Sequence, residues 1–154
     1  MNAYSLAREA LNCSGTMMYQ AILTLEGLAG RSYCVAVDFD GTLCCDKYPE
    51  IGEETKVVSL VNVLQHCGIK TILWTCRTDV RLEEAVAWCE KHDLHFDAIN
   101  ENLPSTKARY GNDPRKVGAD EYWDDKSINV VAVPALENTL IFPKPDNSGG
   151  GNSQ

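Results

Sequence analysis

The chain has 154 residues, a length typical of one domain, and its 44% hydrophobic and 23% charged residues are ordinary for a soluble globular protein. A net charge of −8, with Arg115-Lys116 as the only adjacent basic pair, argues against a nucleic-acid partner, which would require basic patches. No apolar run approaches the roughly 20 residues that span a bilayer, and no basic start precedes an apolar segment, so we expect a cytoplasmic protein without a membrane partner.

Residues 1–31 predict two helices that extend the chain at its N-terminal side. Apolar residues recur at helical spacing before and after a break at Ser14-Gly15. The second stripe consists of Met18, Ala21, Ile22, Leu25 and Leu28. Because this stripe is too apolar to stay in solvent, we expect the extension to pack against the rest of the chain or to join copies, and we favour a homo-oligomer.

Residues 32–142 alternate predicted strands and helices. Strands are predicted over residues 33–37, 71–74, 96–99, 121–123 and 130–133, and helices over about 53–67 and 82–89. Residues 100–115 are polar and contain two prolines and a Gly-Asn pair, so we expect a loop there. This alternation is typical of an α/β fold, a Rossmann-like parallel sheet flanked by helices on both faces. The polar residues 143–154 predict a disordered tail.

Polar side chains follow three of the predicted strands, at the edge where parallel sheets bind ligands. The first strand ends in residues 38–42, Asp-Phe-Asp-Gly-Thr, the second in residues 75–77, Thr-Cys-Arg, and the fourth in Asp124-Asp125. Clustered carboxylates repel one another unless a cation such as Mg²⁺ binds them, and Thr, Lys and Arg donate hydrogen bonds to phosphate. The pattern therefore predicts a site for a phosphoryl group beside a metal ion.

The same motifs resemble those of the haloacid dehalogenase-like hydrolases. Residues 37–43, Val-Asp-Phe-Asp-Gly-Thr-Leu, are similar to the first motif, hhhDxDGT, and residues 73–77, Leu-Trp-Thr-Cys-Arg, to the second. Lys116 resembles the third-motif lysine, and residues 122–125, Tyr-Trp-Asp-Asp, resemble the fourth motif. The resemblance covers about residues 33–133, and the order of the motifs agrees throughout.

This resemblance implies a Mg²⁺-dependent phosphomonoester hydrolase. Asp38 would attack phosphorus to form an aspartyl-phosphate, and Asp40 would protonate the leaving oxygen and then activate water. The short segment between Asp40 and residue 73 leaves no room for an inserted cap domain, so the chain resembles small capless phosphatases. The expected substrate is a small phosphorylated molecule, and an open site also admits a larger one.

The resemblance also implies the remaining contacts of the site. The phosphoryl oxygens would be bound by Thr75, Arg77 and Lys116. The metal would be bound by Asp38, the backbone carbonyl of Asp40, and Asp124 or Asp125. Lys107 is the alternative to Lys116 as the phosphate-binding lysine.

Two other interpretations of the chain stay in view, and the cysteines raise a separate question. A response-regulator receiver domain also has an acidic cluster, a Thr and a Lys at strand ends, but its phosphorylated Asp lies on a later strand, so the motif order here argues against it. A catalytically silent relative that keeps the fold and binds a partner stays open. The seven cysteines lack a CxxC pair and favour core packing over a zinc site. Cys44-Cys45, close after the first motif, either packs inertly or provides an oxidisable site.

Overall fold

The computed structural model describes residues 1–130. The helices and strands in this part of the chain are α1 (Ala3–Asn12), α2 (Gly15–Ala29), β1 (Cys34–Val37), α3 (Val57–His66), β2 (Lys70–Leu73), α4 (Asp79–Lys91), β3 (Ala98–Ile99), α5 (Pro104–Tyr110) and β4 (Glu121–Trp123). None of these helices is long and apolar enough to cross a membrane. Apart from Val130, the predicted strand at 130–133 lies outside the described residues, as do 134–142 and the predicted tail at 143–154.

The four described strands form one parallel sheet in the order β3-β2-β1-β4. β1 lies inside the sheet, paired with β2 on one side and β4 on the other, and all four of its residues are buried. A continuous apolar strand of this kind is what a parallel sheet covered on both faces requires. The structure therefore confirms the predicted α/β fold.

The two faces of the sheet pack against different parts of the chain. Successive residues of a strand point to opposite faces, so Val37 joins the larger core, which includes residues of α1, α2, α3 and α4. Ala36 joins a smaller core with Leu103 and Val117, which lie on either side of α5. The helices thus occupy both faces, with most of the apolar packing on the face that carries α1 to α4.

The predicted N-terminal helices pack against the rest of the described chain. Leu6 of α1 and Leu25 of α2 are buried in the larger core, and burying a leucine side chain stabilises a fold by about 1.5–3 kcal/mol. The carboxylate of Glu121 on β4 accepts hydrogen bonds from the Ala3 amide at the start of α1 and from the Tyr33 hydroxyl. Met18, predicted to be part of the packed stripe, is 37% exposed, whereas Ala21 and Leu25 of the same stripe are buried.

The predicted loop at 100–115 contains the helix α5, and the prediction of a wholly irregular segment was wrong. Pro104 occupies the first turn, where a helix does not need the missing N–H. Gly111 ends the helix with a φ of 69°, the left-handed conformation favoured by glycine. The proline and the glycine that predicted a loop therefore mark the start and the end of a short helix.

The helix predicted from residue 53 begins at Val57, because the residues before it form extended contacts. The Cys45 amide donates to the Glu53 carbonyl at 2.8 Å, and the Thr55 amide donates to the Leu43 carbonyl at 2.9 Å. These bonds close the segment that follows β1 into a loop beside the carboxyl edge of the sheet.

Candidate active site

Three carboxylates meet at the carboxyl edge of the sheet. Asp38 follows β1, and its amide donates to the Trp123 carbonyl at 2.9 Å, so the ends of β1 and β4 lie side by side. Asp124 and Asp125 follow β4 directly. One carboxylate oxygen from each of Asp38, Asp124 and Asp125 lies within 4.8 Å of the other two. The structure thus brings together three of the predicted site residues, including both members of the acidic pair.

Thr42 joins the two halves of this acidic cluster, a role that the sequence did not reveal although Thr42 is part of the first motif. Its hydroxyl donates to Asp38 Oδ2 at 3.3 Å and accepts the Asp125 amide at 3.1 Å. Gly41 has a φ of 88°, and a Cβ built there would lie 2.5 Å from Asp125 Oδ2. The turn after Asp38 therefore requires glycine both for its backbone conformation and for the close approach of Asp125.

Burial and the neighbouring carboxylates raise the pKa of Asp38 to about 6 from its ordinary value of 3.8. Burial is the main cause, and the charges of Asp124 and Asp125 add to it, while hydrogen bonds from the Phe39 amide and the Thr42 hydroxyl act in the opposite direction. Repulsion between carboxylates held this close is relieved when a cation binds them.

Lys126, which no sequence motif indicated, places a cation at the rim of the acidic cluster. Its Nζ lies 3.6 Å from Asp125 Oδ1 and 3.7 Å from Asp46 Oδ2, and its side chain is 71% exposed. Solvent screens an exposed ammonium of this kind, so it offsets only part of the negative charge.

Asp40 lies in a separate ion pair with Arg77. Arg77 Nε donates to Asp40 Oδ2 at 2.8 Å and Nη2 donates to Oδ1 at 2.7 Å, a two-point arrangement. The Arg77 side chain has no exposed surface. In this structure the guanidinium is enclosed and bonded to Asp40, and the contact of Arg77 with substrate phosphate stays a prediction.

Thr75 follows β2, is half-buried and is held in place by two hydrogen bonds. Its amide donates to Asn100 Oδ1 at 2.8 Å, and its hydroxyl oxygen accepts the Arg77 amide at 3.2 Å. Since the hydroxyl acts as an acceptor in this contact, its own proton can still be donated to an anion. The geometry is thus compatible with the predicted contact to a phosphoryl oxygen.

The two candidate lysines differ in their partners. Lys107 Nζ bonds Glu101 Oε2 at 2.8 Å and lies 3.9 Å from Asp113 Oδ2. Lys116 is exposed, has no carboxylate within 4.0 Å among residues 1–130, and places its Nζ 5.6 Å from the centre of the Tyr122 ring. Lys116 therefore has the uncommitted charge, although its ammonium sits against Tyr122 rather than in the acidic cluster.

Asn102 fixes the segment that carries Lys116, and no sequence motif indicated this residue. The side chain is buried, and its Nδ2 donates to Asp113 Oδ1 at 2.7 Å and to the Pro114 carbonyl at 3.2 Å. Its Oδ1 accepts the Gly118 amide at 2.7 Å. Residues 113–118 are thereby held next to the loop that follows β3.

The neighbouring cysteines have different surroundings. Cys44 is buried, its thiol contacts the Phe39 carbonyl at 3.6 Å, and burial raises its pKa. Cys45 is exposed. Cys44 therefore matches the expectation of inert packing, since a protonated buried thiol reacts poorly.

The chain is similar to a solved structure of a conserved protein from Bacteroides thetaiotaomicron. The two sequences are 38% identical, the similarity covers 68% of this chain and 83% of the other, and the TM-score is 0.56. No model of a known protein family matches the chain, and no curated protein matches it. The similarity bears out the α/β fold, and the chemistry has to be inferred from the site itself.

Proposed function

We propose that this chain, which belongs to the same family as the conserved protein from Bacteroides thetaiotaomicron, is a Mg²⁺-dependent phosphomonoester hydrolase of the haloacid dehalogenase-like type. The observation that carries the proposal is the position of Asp38, which follows the central strand and shares a cluster with Asp124 and Asp125. A nucleophilic carboxylate beside metal-binding carboxylates is the arrangement that this chemistry needs.

The donor set of the cluster fits magnesium. Mg²⁺ binds oxygen ligands and is usually held by one or two carboxylates together with waters and substrate phosphate. Asp38, Asp124 and Asp125 supply such oxygens, and the backbone carbonyl of Asp40 is the further ligand that the motif implies. When bound, the ion would neutralise the carboxylates and polarise the phosphoryl group.

The proposed reaction has two steps, both carried by side chains of the first motif. In the first, an Asp38 oxygen forms a bond to phosphorus, the phosphorus–oxygen ester bond breaks, and the departing oxygen takes a proton from Asp40, which would carry that proton in the substrate complex and keep only one of its two bonds to Arg77. In the second, Asp40 takes a proton from water, the water oxygen bonds to phosphorus, and the bond to Asp38 breaks to release phosphate. The Phe39 amide and the Thr42 hydroxyl hold the Asp38 carboxylate during both steps.

The phosphoryl oxygens have two proposed donors. Thr75 offers a hydroxyl after β2, and Lys116 offers an ammonium without a carboxylate partner among the described residues. Because Lys116 Nζ rests against Tyr122, we expect its flexible side chain to turn toward the phosphate when substrate binds.

The test is hydrolysis of a generic aryl phosphate with and without Mg²⁺. We expect activity that requires the metal and that Asp38→Asn abolishes, since an amide cannot attack phosphorus. Asp93→Asn is the matched control, because Asp93 is a fully exposed aspartate away from the site, with a 91% exposed side chain. A pure protein that is inactive across a broad phosphate-ester panel with Mg²⁺ or Mn²⁺ would overturn the proposal and favour the catalytically silent relative.

A further inference from the structure

Arg77 is the most enclosed charged side chain near the proposed site. Its guanidinium lies between two aromatic rings, 5.1 Å from the centre of Phe39 and 5.2 Å from that of Tyr48. An enclosed charge is costly unless it is paired and its hydrogen bonds are satisfied. The enclosed guanidinium of Arg77 must therefore be stabilised by its own ion pair and hydrogen bonds.

Those contacts join two parts of the chain. Besides its two bonds to Asp40, the guanidinium donates from Nη1 to the Pro49 carbonyl at 3.1 Å and from Nη2 to the Glu50 carbonyl at 2.9 Å. Pro49 and Glu50 belong to residues 45–52, which we call the site loop. Its first residue, Cys45, is anchored by a hydrogen bond to the Glu53 carbonyl, so Arg77 holds the middle of a loop whose ends are already fixed.

We propose that Arg77 is a positioning residue that holds the Asp40 carboxylate and the site loop in one fixed arrangement. The inference rests on the proposed function for the role of Asp40. A planar guanidinium can bond both carboxylate oxygens and two carbonyls at once, whereas a lysine ammonium acts as a point charge with three donors. Arg77 acts through Asp40, because its own side chain has no surface to offer a substrate.

The kinetic experiment compares Arg77→Lys with Arg81→Lys, a matched change at an arginine whose side chain is 42% exposed. With an activated aryl phosphate and Mg²⁺, Arg77→Lys should still form the aspartyl-phosphate within a few-fold of the wild-type rate. Its water step should slow by about 10²-fold, because a displaced base loses its orientation. The result is a burst of phenolate of at most one per site, followed by slow turnover, and Arg81→Lys should match the wild type.

A double variant separates positioning from a general structural effect. If Arg77 acts through Asp40, then adding Arg77→Lys to Asp40→Asn should cause little further loss of turnover, since the base is already absent. If Arg77→Lys lowers burst and turnover by the same factor, or multiplies the loss in Asp40→Asn, the positioning role is overturned.

Trypsin cleavage after Lys47 provides a readout that does not depend on activity. Lys47 is exposed in the site loop, and release of the loop in Arg77→Lys should speed cleavage there several-fold, as measured by mass spectrometry, with no change in Arg81→Lys. If Arg77→Lys does not fold, the double variant Arg77→Met/Asp40→Asn removes both charges of the ion pair. Its rate of cleavage after Lys47 is then compared with that of Asp40→Asn alone. Unchanged cleavage after Lys47 overturns the proposal. A wild-type protein that shows neither burst nor turnover overturns the hydrolase function, and in that case the cleavage rate still decides whether Arg77 holds the loop.

Discussion

Asp38 and Asp40, two residues apart in the sequence, occupy different environments. Asp38 faces two other carboxylates and is held by the Thr42 hydroxyl, whereas both oxygens of Asp40 are bonded to Arg77. The fold thus gives two residues of one type different surroundings: burial and neighbouring carboxylates raise the pKa of Asp38, whereas the Arg77 guanidinium pairs with Asp40.

The pH dependence of stability should report the environment of Asp38. In the metal-free protein its pKa is raised to about 6, above the value of about 3.9 expected after unfolding, so the folded state binds more protons between these values. The contribution of Asp38 to stability is therefore fully present below about pH 4 and is lost as the pH rises through about 6. Urea unfolding in EDTA should show this decline, and Asp38→Asn should remove it; an unchanged slope in the variant would contradict the prediction.

Asp40→Asn should separate the two chemical steps. General acid help is typically worth about 10²–10⁴-fold, and an activated phenolate needs less of it than an alkyl alcohol. We expect one slow burst of phenolate from an aryl phosphate, with phosphate trapped on the protein, and no burst from an alkyl phosphate. Asn keeps the backbone carbonyl, so Mg²⁺ binding measured by calorimetry should largely survive. Wild-type turnover of both substrates by this variant would remove Asp40 from the mechanism.

The two lysines should respond differently to replacement by alanine. Lys116→Ala should lower activity by orders of magnitude, because its charge has no carboxylate partner among residues 1–130 and is available to phosphate. Lys107→Ala should be mild, since it removes an ammonium already neutralised by Glu101. Values of kcat/KM for both variants decide the ranking, and the reverse order would reassign the role to Lys107.

At the scale of elements, α1 and α2 share a core with the helices that flank the sheet. α1 packs on α2 and α3, and the Glu121 carboxylate of β4 binds its first turn, where the helix dipole favours negative charge. The extension is therefore part of the folded unit. Homo-oligomer formation through these helices stays a prediction, and the exposed Tyr19 and Leu23 of α2 are side chains that it would cover.

Removing a core contact of α2 should destabilise the whole domain. Leu25 is fully buried, so Leu25→Ala should lower the free energy of unfolding by about 2–5 kcal/mol. Leu23→Ala is the matched control, because Leu23 on the same helix is 46% exposed and should change stability by less than about 1 kcal/mol. Equal losses in urea unfolding would show that α2 does not pack as described.

At the scale of the whole molecule, the described residues contain no cap domain over the proposed site. The chain between β1 and α3 forms the turn after Asp38 and the site loop, and no inserted domain lies between these elements. The site loop approaches the acidic cluster through Asp46, whose Oδ2 lies 3.7 Å from Lys126 Nζ. The absence of a cap domain among residues 1–130 fits the proposal that larger phosphorylated substrates can reach Asp38.

The sequence by itself determined the strands, their parallel arrangement and the residues at their carboxyl ends. Apolar periodicity is local, and a strand-end position can be assigned without knowing any distant neighbour, so the sequence places Asp38, Thr75 and Asp124-Asp125 after strands, where the structure has them. The short helix α5 was missed because proline and glycine mark helix ends as well as loops.

Only the tertiary structure decided which side chains meet. The bond between Arg77 and Asp40 joins residues 37 positions apart, and that between Thr42 and Asp125 joins residues 83 positions apart. Such pairs depend on how the elements pack and leave no periodic signal in the sequence. The sequence therefore predicts a phosphate contact for Arg77, and only the tertiary structure places its guanidinium against Phe39 and Tyr48 with two bonds to Asp40.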